Sequence, residues 1–181
     1  MMTKAESSGS GDRRVAMKLC VAALLNCAAG YAGLHTYSYT DKRPSVSEEP
    51  DAAKCIEYLL SRCPAFAPHW QEQRAPWGDE PTPGGLMLDL AAFAHYVADA
   101  IERDEPAELA AIAEVAERLV DWPSDHVQTA AIYGFLEGLT NRCLGEPERY
   151  PFQRLARHLG PSAIAACRDL DDSWGTQTPG L

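Results

Sequence analysis

The chain has 181 residues, 46% of them hydrophobic, a formal net charge of −10 and a mean hydropathy of −0.27. This is the profile of one globular domain long enough to bury a core without metal or disulfide staples. No apolar run reaches the roughly 18 to 20 residues of a membrane-spanning helix. The acid is segregated: residues 1–49 hold six Lys/Arg and five Asp/Glu, whereas residues 86–126 hold two and ten, a local balance of −8. Such a field repels phosphate backbones and anionic lipid, which disfavours nucleic acid as a partner and favours a basic protein.

Residues 1–12 are polar and Ser/Gly-rich, a composition that cannot bury a core and is expected to be disordered. Arg13, Arg14 and Lys18 then precede an apolar stretch from Leu19 to Ala29 that ends in small residues, the order found in a signal peptide. Asn26 interrupts that stretch, so residues 13–32 carry three readings: an export signal, which would place the protein outside the cytoplasm, a translation start placed too far upstream, or an accessory helix. Residues 34–50, punctuated by Pro44 and Pro50, read as a linker. The expected organisation is an N-terminal extension over 1–50, a helical domain over 51–175 and a flexible tail over 176–181.

From Pro50 onward every long periodic segment has helical spacing, and none alternates as a strand does. The domain is therefore expected to be all-α, with about six helices packed as antiparallel hairpins around a central helix at 127–143. A first helix at about 51–62 turns Ile56, Leu59 and Leu60 inward. It stops before Pro64, and the segment that follows, rich in Pro and Gly over 75–85, reads as an irregular loop carrying Trp70 and Trp77, which either close the core or anchor a partner. A second helix at about 86–103 has a stripe of Leu86, Leu90, Phe93, Val97 and Ile101, with His95, Asp99 and Glu102 outside. Asp104, Glu105 and Pro106 form a start signal for a third helix at about 105–121, whose outer face carries Glu114, Glu117 and Asp121.

Ser124 is expected to cap the central helix, where Ile132, Phe135, Leu136, Leu139 and Cys143 make one apolar stripe. Ala130, Gly134, Gly138 and Asn141 lie opposite. Two glycines inside a helix cost about 1 kcal/mol each relative to alanine, so their side is expected to accept a close neighbour, a helix of the C-terminal pair. A fifth helix near 149–159 should end at Gly160 as a C′ residue, and Pro161 should open a last helix running to Trp174.

Chemistry is sparse. No two histidines have the spacing of a helical metal site, so neither metal nor cofactor is expected. His95 and Asp99 at i, i+4 read as a solvated pair, and Asp169, Asp171 and Asp172 crowd a helix C-terminus against its dipole. The cysteines at 20, 27, 55, 63, 143 and 167 read as reduced thiols in a cytoplasmic protein. Three functional readings remain. One is a non-enzymatic binding module that engages a basic partner through Asp99, Glu102, Glu114, Glu117, Asp121 and Trp77. The second is an enzyme with an unfamiliar helical site around Glu137 and Asn141, and the third is an exported helical protein.

The order Gly134-Phe135-Leu136-Glu137, Asn141, Leu159-Gly160-Pro161 and Trp174 resembles an uncharacterised family of small all-helical bacterial proteins, over about residues 54–175. The resemblance implies a compact cytoplasmic helical domain in which Gly134, Phe135, Leu136, Glu137, Asn141, Gly160, Pro161 and Trp174 are structural. It also implies, through members thought to accompany toxin and immunity genes, an immunity or antitoxin role against a basic toxin.

Overall fold

The computed structural model describes residues 49–78 and 84–181; the signal-like segment, Cys20 and Cys27 lie outside them. Among the described residues the chain is all-helical, with no strand. In order come α1 (Glu49–Arg62), a 3₁₀ turn (Pro64–Phe66), α2 (Ala67–Arg74), α3 (Gly85–Arg103), α4 (Pro106–Val120) and α5 (Asp125–Thr129). A π-helical segment (Ala130–Leu136) joins α5 to α6 (Glu137–Gly145), and α7 (Gln153–Ala156) and α8 (Pro161–Trp174) complete the domain.

Residues 63–74 are not the irregular loop expected. Pro64 and Pro68 stand in the first turns of the 3₁₀ turn and of α2, where a missing N–H breaks no intrahelical bond, so residues that read as breakers are starters. Trp70 thereby lies in a helix, packs on the core and donates its indole N–H to Asp89 at 3.0 Å.

The core centres on α3. Phe93 meets Phe66 of the 3₁₀ turn edge-on at 5.1 Å and Phe135 of the π segment at 4.9 Å. Leu90, Val97 and Ile101 are fully buried on the same helix, as their spacing predicts. The chain reverses at Asp104, a left-handed residue with φ +54°, and the Tyr96 hydroxyl donates to Glu108 across the hairpin at 2.5 Å. Glu105, not Asp104, occupies the N-cap of α4, and Ser124 stands at the N-cap of α5 without a side-chain capping bond.

The continuous helix 125–145 packs parallel to α3. A Cβ at Gly134 would lie 2.6 Å from the Met87 carbonyl oxygen, and one at Gly138 would lie 3.5 Å from the Ala94 Cβ, so the two helices run in the same direction. The close neighbour of the glycines is thus α3, not the C-terminal pair. Widening of the helix over 130–136 also redistributes its faces. Ala130, Ala131 and Gly134 are buried beside Phe135 and Leu136, whereas Ile132, placed in the core stripe by a regular helical wheel, is half-buried.

The C-terminal region departs further from expectation. The helix foreseen at 149–159 shortens to α7, and Gly160 has φ −79° and ψ 174° as the N-cap of α8 rather than a left-handed C′ residue. The tail beyond Gly175 is anchored: Asp171 accepts from Thr176 Oγ1 at 2.8 Å, Thr178 N at 2.7 Å and Thr178 Oγ1 at 2.9 Å, leaving Thr178 buried. Those donors compensate a carboxylate that the α8 dipole would otherwise disfavour.

Candidate functional site

The acids of 86–126 are the natural starting point, and most of them are engaged inside the fold. Glu114 pairs with Arg62 of α1, Glu102 with Arg149 at 3.0 Å, and Asp104 with Arg154 and Arg157 at 3.4 Å. Arg154 also donates to the carbonyls of Ile101 and Glu102 at 2.9 and 3.3 Å, placing a cation on the free acceptors at the C-terminus of α3. Glu117 does the converse for α8. Its two oxygens accept from Ser162 N and Ala163 N, each at 2.9 Å, so a carboxylate closes the helix N-terminus with two charge-assisted bonds.

That cap explains the glycine before Pro161. A Cβ on Gly160 would lie 2.6 and 2.7 Å from the two Glu117 oxygens, so only glycine lets the carboxylate lie against the turn. Asp121 adds a bond from Ser162 Oγ at 2.9 Å. Of the residues read as partner-binding, Asp99 is half-buried with no bond to a described residue, and Trp77 is half-buried with an indole N–H that finds no acceptor.

Asp89 is a buried carboxylate held by Trp70 at 3.0 Å and by Arg74 at 4.0 Å. Burial pushes its carboxyl up, and these two neighbours only partly offset that. The thiols at Cys55, Cys143 and Cys167 are buried, unlinked and pushed up to about 12 by burial, so they remain protonated and unreactive.

Along the seam of α3 and α6, Arg142 reaches His95 Nδ1 at 3.2 Å with Nη1 and donates to the Tyr150 hydroxyl at 3.1 Å with Nη2. Tyr150 is fully buried, with the guanidiniums of Arg142 and Arg149 each 4.9 Å from its ring centroid. Burial lowers the His95 pKa, Arg142 lowers it further and Asp99 opposes the shift. Burial alone pushes the Glu137 carboxyl up. Asn141 is exposed, and Glu137 and Asn141 share a helix face one turn apart with no side-chain bond to a described residue.

A family described as a domain of unknown function, DUF7674, matches residues 56–175. The chain belongs to this family. No match was found among the curated proteins or among the solved structures. The family span begins inside α1 and ends just beyond α8, so it contains both the capped α4–α8 junction and the seam. Among the described residues no group of three or more His, Cys, Asp or Glu is placed to hold a metal ion, and no helix is long and apolar enough to cross a membrane.

Sequence reasoning missed the His95, Arg142 and Tyr150 cluster. Arg142 reads as an ordinary cation in the last turn of a helix, and its meeting with His95, 47 positions earlier, depends on the parallel pairing of α3 and α6. Trp174 and Tyr133 also escaped it as surface features: they are 47% and 53% exposed, the large hydrophobic side chains most open to solvent among the described residues.

Proposed function

We propose that the domain is a non-enzymatic protein-binding module that captures a basic protein, in the manner of a cytoplasmic immunity or antitoxin protein. One observation carries this reading: most of the cations are neutralised in ion pairs within the fold, Arg118 and Arg168 being exposed without a carboxylate partner among the described residues, whereas a larger surplus of acids stands exposed and unpaired. Lys54, Arg62, Arg74, Arg103, Arg149, Arg154 and Arg157 all stand in ion pairs with carboxylates. Glu57, Glu72, Asp125, Glu148, Asp169 and Asp172 are exposed and have no cationic partner among the described residues. The outward field is therefore negative over much of the surface, which accelerates encounter with a positively charged protein. Exposed Trp174, on the same helix as Asp169 and Asp172, offers an aromatic anchor of the kind that concentrates binding energy.

The binding role accordingly rests on these unpaired acids more than on Glu102, Glu114, Glu117 and Asp121, whose carboxylates hold the fold together. The test uses the full chain and the basic proteins encoded beside it in the genome. A stoichiometric complex is expected whose association rate falls steeply with salt. Changing Asp125, Asp169 and Asp172 together to Asn should slow association about tenfold at low salt without altering the thermal midpoint. A complex indifferent to salt and to these substitutions, or no complex with any such protein, overturns the reading.

A further inference from the structure

The outward side of α6 carries several residues that the packing of the fold does not explain. Arg142 is half-buried and its Nε is shut from solvent without an acceptor. Its other nitrogens meet neutral groups, the His95 imidazole and the Tyr150 phenol, and no carboxylate of a described residue pairs with it. Glu102 acts on Arg142 only from beyond ion-pair distance and is itself held by Arg149, and a guanidinium partly removed from water without a direct carboxylate partner is unfavourable. The contrast with Arg149 is sharp, because that guanidinium has Glu102 at 3.0 Å and Glu146 at 3.6 Å.

Gly138, one turn before Arg142, is exposed. An added Cβ would touch only the Ala94 Cβ at 3.5 Å, an ordinary contact, so the fold does not require glycine there, and alanine is the better helix former. What the glycine does provide is a strip of bare backbone between Glu137 and Arg142. Asn141 is exposed beside it. Since Arg142 donates to His95 Nδ1, the imidazole proton sits on Nε2, and that exposed ring offers a donor outward.

We propose that the face formed by Gly138, Asn141 and Arg142 of α6 with His95 of α3 binds the anionic oxygen group, a carboxylate or a phosphate, of a small molecule. Arg142, which has no carboxylate at ion-pair distance, supplies the cation, and the Asn141 amide and His95 Nε2–H supply neutral donors. Gly138 lets the ligand lie against the helix. Glu137, on the opposite flank and five positions from Arg142, bounds the face and disfavours a second anion. The proposed site uses none of the exposed acids invoked for partner capture, so either can stand without the other.

The full chain, labelled with ¹⁵N, is titrated separately with inorganic phosphate and with acetate at constant ionic strength set by chloride. Saturable shifts are expected at the Gly138 and Asn141 amides and at the Arg142 Nε–H. A response to phosphate alone assigns a phosphoryl ligand, and one to acetate alone a carboxylate. Arg142→Gln should weaken binding about tenfold or more, as loss of a charge-assisted contact does. Gly138→Ala should also weaken it while raising the thermal midpoint, a combination that a purely structural glycine would not produce. The proposal fails when neither anion shifts these signals saturably, or when binding survives both substitutions undiminished. Should Arg142→Gln not fold, undiminished binding by Gly138→Ala alone overturns it.

Discussion

The junction of α4 with α8 and the outward side of α6 treat charge in opposite ways. At the junction, Glu117 has both oxygens engaged by backbone amides, and Gly160 is bare because that carboxylate lies over it. On α6, Arg142 has no carboxylate at ion-pair distance, Glu137 has no bond to a described residue, and Gly138 is bare with nothing in the fold requiring it. Glycine and charge thus mean different things at the two places. Where each polar group has a partner, its identity is explained by stability; where it lacks one, the explanation has to come from outside the fold.

The largest effect that would break this contrast is at the cap. Glu117→Ala removes two charge-assisted bonds and should lower unfolding free energy by about 2–3 kcal/mol, measured by urea denaturation. Gly160→Ala alone should cost about 1–3 kcal/mol through overpacking. The double variant should be less damaging than the sum of the two, because removing the carboxylate frees the space that the new methyl needs. Strict additivity would mean that the two residues do not meet as described.

Gly134→Ala comes next. Its Cβ would fall 2.6 Å from a backbone oxygen of α3, so a helix has to shift, at about 1–3 kcal/mol. The partner experiment, Gly138→Ala, should move stability the other way by up to about 1 kcal/mol. Equal destabilisation by both would place the two glycines in one packed seam and remove the distinction between them.

Asp89 sharpens the contrast from inside the core. Its folded pKa is raised, so its protonated form is favoured by folding: the contribution is fully present below the unfolded value and is lost as pH rises through the folded value. Asp89→Asn keeps an acceptor for Trp70 without the buried charge. Relative to the parent, it should therefore gain stability as pH rises from about 4 to 7, ending within about 1 kcal/mol of the parent or above it. A variant that instead loses ground over that range would show that Arg74 stabilises the anion more than burial opposes it.

Much of the architecture was legible from spacing. The stripe Leu86, Leu90, Phe93, Val97, Ile101 is buried as read, and the last helix has the limits Pro161–Trp174 that its proline start implied. The all-helical class follows from the same spacing, and membership of an uncharacterised family, read from other residues, agrees with the family match over 56–175. Elsewhere, local signals carried two meanings that only tertiary context separates. Pro64 and Pro68 break one helix and begin another, Gly160 opens rather than closes, and Glu114 and Glu117 of α4 with Asp121 just beyond it make ties to α1 and α8. The pairing of His95 with Arg142 had no local signature, because it arises from two helices separated by α4.

The π segment has a consequence for all of this. A helix advances about 100° per residue, and a π segment is the signature of extra residue length absorbed without breaking the rod. Deleting one residue within 130–136 is expected to return the stretch to α-helical form and leave everything downstream in its present phase against α3. Were the same number of residues wound as regular α-helix, everything downstream would turn by that angle, Arg142 would swing off His95, and Leu139 and Cys143 would leave the core together. The segment acts as the phase-setter of the domain: it decides which side of α6 is inside, and hence which side is left to meet the solvent.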